Sequence, residues 1–116
     1  MNQSKNYSID KLLQYVGNDV NQINEMIKIF LDTIPPDIDQ IQKMANINDW
    51  QRVYEIAHRI KPSIDIFEMN NILEDIKKIE YQAHENNAEG NLDALIKELS
   101  EKVNSVILLM QKEIEK

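Results

Sequence analysis

The sequence predicts an all-α protein: an antiparallel, up-and-down four-helix bundle with a short additional helix at the N-terminus. The chain contains only two glycines and three prolines, which leaves few residues for the tight turns of a β-protein. Residues that favour helices, such as Leu, Lys, Glu and Gln, are abundant. The apolar residues recur at intervals of three and four, which is the period of helices with one buried face.

The first two predicted helices are separated by a glycine. Ser8 precedes the short first helix as its N-cap, and Gly17 ends it. A longer helix follows with Asn18 as its N-cap, and its apolar period is the most regular in the chain. Pro35 and Pro36 lie inside that period. Because a proline removes a backbone N–H and disfavours helical angles in the residue before it, we predict a hard kink or a short break there.

The next two helices are predicted from their start signals. A turn over residues 46–49 precedes the third predicted helix, and the N-cap of that helix is either Asp49 alone or Asn48 together with Gln51. The following helix is predicted to begin near residue 70 or 71, where Asn71 and Glu74 have the spacing of a capping box.

The end of the chain is predicted to be one loop and one helix. Residues 85–90 are the most loop-like segment, and the last helix runs from Asn91 to about Ile114. Neither an internal repeat nor a low-complexity segment divides the sequence, so we predict a single domain over residues 1–116.

Composition and charge exclude several classes of protein. The chain has no cysteine, so it can form neither a disulfide nor a thiolate metal site. Its net charge of −7 would repel nucleic acid. No apolar run is long enough to cross a membrane, and the first residues do not resemble a signal peptide. We therefore expect a cytoplasmic protein, monomeric, that binds neither nucleic acid nor membrane.

His58 is the residue on which a function can be based. On the third predicted helix, Val53, Ile60 and Ile64 define an apolar face, and His58 lies about 140° from it. The core stripe is complete without this histidine, so we predict an exposed imidazole. One flank also carries other polar and aromatic residues, at about 60° to 120° from the apolar face: Tyr54, Lys61, Asp65 and Glu68.

An exposed imidazole beside a lysine suits phosphoryl transfer. At neutral pH a large fraction of exposed histidines is neutral and carries a free lone pair that can attack phosphorus. Lys61, three residues after His58, supplies an ammonium for the phosphoryl oxygens. Ser63 lies on the other flank, so we expect its hydroxyl to bond to the backbone or to a neighbouring helix.

The motif around His58 resembles that of the histidine-containing phosphotransfer (HPt) domain, and the likeness covers about residues 8 to 114. The segments that carry it are Ala57-His58-x-x-Lys61-x-Ser63, Asn48-Asp49-Trp50 with Val53, and Phe30-Leu31-Asp32-Thr33-Ile34-Pro35. The resemblance implies that His58 accepts a phosphoryl group from an aspartyl phosphate on a receiver domain and passes it to another receiver. Lys61 would stabilise the phosphohistidine.

The resemblance also implies cofactors and partners. HPt domains bind no ATP, and the Mg²⁺ of the reaction belongs to the receiver, so this chain should need no cofactor and have no kinase or ATPase activity. The expected partners are the receiver domains of response regulators and hybrid histidine kinases. The expected partner-binding residues are Tyr54, Asp65 and Glu68.

Two positions depart from the family pattern. Pro62 and Glu68 stand where HPt domains usually have glycine. Pro62 removes the N–H that would bond the His58 carbonyl, which predicts a local kink that tilts the imidazole outward. Glu68 could compete with phosphate for Lys61 or repel an acidic partner. The alternative function is therefore a non-catalytic, degenerate HPt-like adaptor that binds receiver domains or other signalling proteins.

A dimetal carboxylate site is a weaker interpretation of the same helix. Glu55 and His58 have the Glu-x-x-His spacing of such sites. The other histidine, His84, has Tyr81 at the matching position, and His58 is predicted to face outward. We therefore expect no metal site, and we expect His84 to have a surface or helix-terminal role.

Overall fold

The fold is all-helical. The computed structural model describes residues 7–115, with side chains as far as residue 112, so both ends of the predicted 1–116 domain lie outside it. The described chain contains five helices and no strand: α1 (Asp10–Val16), α2 (Val20–Asn46), α3 (Trp50–Ile66), α4 (Asn70–His84) and α5 (Leu92–Glu115).

The four long helices surround one hydrophobic core. Helix α2 contacts α3 and α5, and α4 also contacts α3 and α5, which closes a ring of contacts. One edge-to-face aromatic pair, Phe30 with Phe67 at 5.1 Å between ring centroids, lies among the aliphatic side chains. The largest fully buried side chains are Leu12, Ile34, Ile41, Ile60, Ile64, Phe67, Met69, Ile72, Ile76, Ile79, Leu92 and Leu99.

Helix α2 continues through both of its prolines. The predicted short break at Pro35 and Pro36 is therefore wrong, since a single helix spans Val20–Asn46, and the kink predicted as its alternative stays a prediction. Ile34 and Ile38, on either side of the prolines, are both buried. Burial of each isoleucine contributes about 1.5–3 kcal/mol. We attribute the continuity to this burial, which offsets the backbone hydrogen bonds that the prolines remove.

Two N-caps are formed by aspartates. The Asp49 carboxylate accepts a hydrogen bond from the Arg52 N–H at 3.2 Å, which confirms one of the two predicted caps of α3. The prediction for α2 is wrong by one residue, because Asp19, not Asn18, accepts from the Gln22 N–H.

Helix α4 starts without a side-chain cap. It begins at Asn70 as predicted, but its N-cap residue is Met69, so the predicted capping box of Asn71 and Glu74 does not form. The connection from α3 is very short, and Glu68 within it has a left-handed φ of 52°. This tight link places the buried Met69 immediately before the helix.

Helix α1 packs on α2 and is tied to the end of α3. It ends at Gly17, as predicted, where φ is 67°. Its formal N-cap residue is Ile9, although the Ser8 hydroxyl accepts the Asp10 N–H. The Ser8 N–H donates to the Phe67 carbonyl at 2.8 Å.

No helix in the described part of the chain is both long and apolar enough to cross a membrane.

Candidate functional site

His58 projects from α3 away from the core. Five residues of the same helix form its buried face: Val53, Ile56, Ala57, Ile60 and Ile64. The His58 side chain is 62% exposed, which confirms the orientation predicted from the helical phase. Helix α3 continues through Pro62 to Ile66, and the predicted kink at the His58 turn stays a prediction.

A carboxylate from the neighbouring helix joins His58 to Lys61. Glu80 of α4 has one oxygen 2.6 Å from His58 Nδ1 and the other 2.7 Å from Lys61 Nζ. A carboxylate can only accept, so Nδ1 carries the ring proton and donates it. In the neutral imidazole the lone pair is therefore on Nε2, the ring nitrogen that Glu80 does not contact.

The charges at this site keep Glu80 ionised. Partial burial raises the pKa of the Glu80 carboxyl, but the hydrogen bonds and charges of Lys61 and His58 outweigh it, so the pKa lies below its ordinary value. The Glu80 side chain is only 14% exposed, which limits the screening of these contacts by solvent. The Glu80 carboxylate therefore holds a negative charge against Nδ1 of the imidazole.

Aromatic rings extend the site along α3. The Tyr54 ring is stacked on the His58 ring, with centroids 5.9 Å apart and planes 12° from parallel. On its other side, Tyr54 contacts the His84 ring at 5.5 Å. His84 is the last residue of α4, as predicted, and its Nδ1 lies 3.3 Å from Glu85. Tyr54 therefore connects the two histidines of the sequence.

A shallow groove of about 430 Å³ lies beside the imidazole, between α3 and α4. Side chains of both helices line it: His58, Lys61, Pro62, Asp65, Leu73 and Lys77. Lys77 of α4 therefore lines the same groove as Lys61, the lysine of the predicted motif.

The two acidic residues predicted on the His58 flank contact α1. The Asp65 carboxylate is 2.9 Å from Lys11 Nζ, and Glu68 accepts the backbone N–H of Lys11 at 3.2 Å. Helix α3 ends at Ile66, so the helical phase used to place Glu68 beside Lys61 does not apply. Glu68 does not compete for Lys61, and that prediction is wrong. The carboxylate that contacts Lys61 belongs to Glu80.

Ser63 also differs from its prediction. Its side chain is half-buried, and within the described residues its hydroxyl forms no hydrogen bond, so the predicted bond is absent.

Sequence reasoning missed Glu80, Lys77 and the position of His84 beside Tyr54. Glu80 follows the inward-facing Ile79, at the boundary between the buried and exposed faces of α4. A carboxylate at such a boundary indicates a possible contact with a neighbouring helix. Identifying the residue that it contacts requires knowing how α4 is rotated against α3.

The described residues contain no group of three or more potential metal ligands among histidines, cysteines and acidic residues. Glu55, the residue considered for a dimetal site, is exposed and accepts a hydrogen bond from Gln51.

Comparison with known proteins identifies the family. A family model described as Hpt domain matches residues 25–106, well over half of the chain. The chain belongs to the Hpt domain family. It is also 23% identical over 95 residues to the virulence sensor protein BvgS of Bordetella pertussis, a match that covers 81% of this chain but 8% of that protein. No solved structure gives a significant match. The matched Hpt segment includes His58, Lys61, Lys77 and Glu80.

Proposed function

We propose that this Hpt domain is a phosphorelay intermediate, which accepts a phosphoryl group on His58 from the aspartyl phosphate of a receiver domain and passes it to another receiver. The observation that carries the proposal is the contact between Glu80 and His58 Nδ1 at 2.6 Å. In the neutral ring it places the lone pair on Nε2, where it can act as a nucleophile.

In the proposed reaction, the Nε2 lone pair attacks phosphorus and a P–N bond forms. The P–O bond to the receiver aspartate breaks, and its electron pair leaves with the carboxylate oxygen. The Nδ1 proton stays on the ring, and Glu80 offsets the positive charge that the imidazole acquires. Transfer to the second receiver reverses these bond changes. Lys61 is the catalytic partner that neutralises the phosphoryl oxygens.

The proposed docking surface surrounds His58 on α3. The Tyr54 ring is stacked on the imidazole, and Asp65 lines the groove beside His58. Glu68 accepts a hydrogen bond from the Lys11 N–H of α1, so it would affect docking through the position of α1. These three residues are proposed as the partner-binding set for receiver domains.

The proposal includes further properties of the carrier. It is a cytoplasmic monomer formed by one domain, and its four long helices alternate in direction. The short link between α3 and α4 and the closed ring of contacts support this arrangement. The carrier has no kinase or ATPase activity and holds no cofactor, and the Mg²⁺ of the reaction would be held by the receiver.

The proposed function is tested by phosphoryl transfer from a receiver domain labelled on its aspartate. We expect label on this protein that is acid-labile and alkali-stable, as a phosphoramidate is. The His58→Gln variant should take up none, whereas the matched His84→Gln variant should be labelled like the wild type. Persistent label in His58→Gln would show that the nucleophile is misassigned. A folded wild type that no receiver of the same organism labels would instead favour the adaptor function.

A further inference from the structure

We propose that Lys77 is a second phosphate-binding residue of this site, an inference that rests on the proposed phosphorylation of His58. Lys77 lies on α4 and lines the same groove as His58 and Lys61 on α3. A phosphoryl group on Nε2 would thus have one lysine from each of two helices around it.

Phosphorylation of His58 would add negative charge beside a lysine that already has an anionic partner. A phosphoryl group carries a charge of about −1.5 to −2 at neutral pH. Lys61 already contacts the Glu80 carboxylate at 2.7 Å, and Glu80 stays in place because it also holds the His58 ring. Lys61 would therefore be shared between two anions after phosphorylation. A second cation is needed to offset the added negative charge.

Lys77 is the groove lysine that has no carboxylate partner among the described residues. Asp65, the acidic residue that lines the groove, is paired with Lys11 at 2.9 Å. Within the described residues Lys77 takes part in no ion pair, and its side chain is exposed. Its ammonium can thus move to the phosphoryl oxygens without breaking an existing contact.

A lysine has a flexible stem of four carbons and binds phosphate as a point charge, so it does not need a preformed orientation. The groove is open, which leaves room for the Lys77 stem to move toward His58. Lys77 would add a contact that exists only while the protein is phosphorylated, and that would stabilise phosphohistidine relative to the free imidazole.

The chain provides a matched control for this inference. Lys78, the next residue of α4, is also exposed but is not among the groove residues. Lys77→Gln and Lys78→Gln remove the same charge from adjacent positions of one helix. Any difference between them reports on the groove and not on net charge.

The experiment measures the ionisation of the phosphoryl group itself. Phosphoramidate can donate its phosphoryl group to an imidazole with release of ammonia, so His58 is loaded without a receiver domain. A His84→Gln background leaves a single imidazole to carry the label. A phosphorus NMR titration then gives the pH midpoint of the second phosphoryl ionisation. A nearby ammonium lowers this midpoint, because it favours the dianion.

We expect Lys77→Gln to raise the midpoint by about 0.5 pH unit, Lys78→Gln to raise it by less than half as much, and Lys77→Arg to restore it. Equal shifts for the two glutamine variants, or no shift in either, with His58 labelled, would overturn the role of Lys77 and leave the proposed function intact. Absence of label on His58 would overturn the nucleophile assignment and this inference with it. Circular dichroism checks that each variant keeps the helical fold.

Discussion

The carboxylate of Glu80 on α4 lies 2.6 Å from Nδ1 of His58 on α3, and this contact places the proton of the neutral imidazole on Nδ1. The same carboxylate holds Lys61 through its other oxygen. In the proposed mechanism Glu80 is a positioning residue: it holds Nδ1 of His58 and Nζ of Lys61, and the phosphoryl group would bond to Nε2. Similar carboxylate–imidazole pairs orient histidines at other catalytic and metal sites.

The first prediction separates the acceptor role of Glu80 from its charge. Glu80→Gln retains a carbonyl oxygen that can accept a hydrogen bond from Nδ1–H, whereas Glu80→Ala removes both the acceptor and the charge. We expect phosphotransfer to slow by about tenfold in Glu80→Gln and by more in Glu80→Ala, since a hydrogen bond to a charged group contributes about 1.5–3 kcal/mol. Rapid-quench measurement of label on His58 gives the rates.

A spectroscopic measurement distinguishes positioning from a general structural defect. Nitrogen NMR of the unphosphorylated protein should find the proton of neutral His58 on Nδ1 in the wild type and a mixture of tautomers in Glu80→Ala. Glu74→Gln, an exposed change on the same helix, should alter neither the tautomer nor the rate. An unchanged tautomer in Glu80→Ala would remove Glu80 from the mechanism.

The exposure of His58 could be predicted from the sequence because the direction of its side chain depends on a single helix. The buried stripe of α3 is complete without His58, so the phase of the helix alone turns the imidazole outward. The same reasoning correctly placed Lys61 on that side of the helix. In both cases the prediction needed only the 3.6-residue period and the identity of the apolar residues.

The contacts between helices could not be predicted in this way. Glu80 is 22 residues from His58 in the sequence, and periodicity along α4 does not specify the rotation of that helix against α3. Glu68 was misplaced for a different reason, since its helical phase was extended beyond Ile66, where α3 ends. The continuity of α2 through Pro35 depends on tertiary burial that local propensity does not include.

The second prediction concerns acid stability and follows from the lowered pKa of Glu80. A carboxyl group with a depressed folded-state pKa stabilises the protein above its unfolded pKa, near 4.5, and loses this contribution as the pH falls through the folded value. Urea unfolding at pH 3 to 7 should give a wild type more stable than Glu80→Gln at neutral pH. The difference should shrink below about pH 4.5. A constant difference across this range would exclude Glu80 ionisation as its cause.

The third prediction concerns a buried acidic residue far from the groove. Asp75 of α4 is 3% exposed and lies 2.9 Å from Lys102 of α5. Lys102→Met would leave this carboxylate buried without its cation, so we expect a loss of about 1–3 kcal/mol of unfolding free energy. Lys97→Met, an exposed change on the same helix, should change it by less than about 0.5 kcal/mol. Equal effects would mean that the ion pair does not stabilise the bundle.

Phosphotransfer should be unaffected by the loss of this ion pair. Neither Asp75 nor Lys102 lines the groove beside His58. At a temperature where Lys102→Met remains folded, its transfer rate should therefore match that of the wild type. A large loss of transfer in folded protein would indicate coupling between the α4–α5 contact and the site.

The fourth prediction concerns Glu68, which stands at a position where the resemblance to HPt domains implies a glycine. Glu68 has φ of 52°, a left-handed conformation that disfavours residues with a Cβ by about 1–2 kcal/mol. Its carboxylate also accepts a hydrogen bond from the Lys11 N–H at 3.2 Å. Glu68 therefore strains the backbone and at the same time stabilises the contact with α1. Glu68→Ala loses the hydrogen bond and keeps the strain, whereas Glu68→Gly loses the hydrogen bond but removes the strain.

We therefore expect Glu68→Gly to be more stable than Glu68→Ala by about 1 kcal/mol in urea unfolding, although glycine ordinarily destabilises relative to alanine by increasing the entropy of the unfolded chain. At Asn70, the first residue of α4, the same pair of substitutions should show the ordinary order, with alanine the more stable. If alanine were also favoured at position 68, the left-handed turn would not explain the glycine. The departure at this position would then act through the contact with α1, which anchors Lys11 beside the end of the phosphotransfer helix.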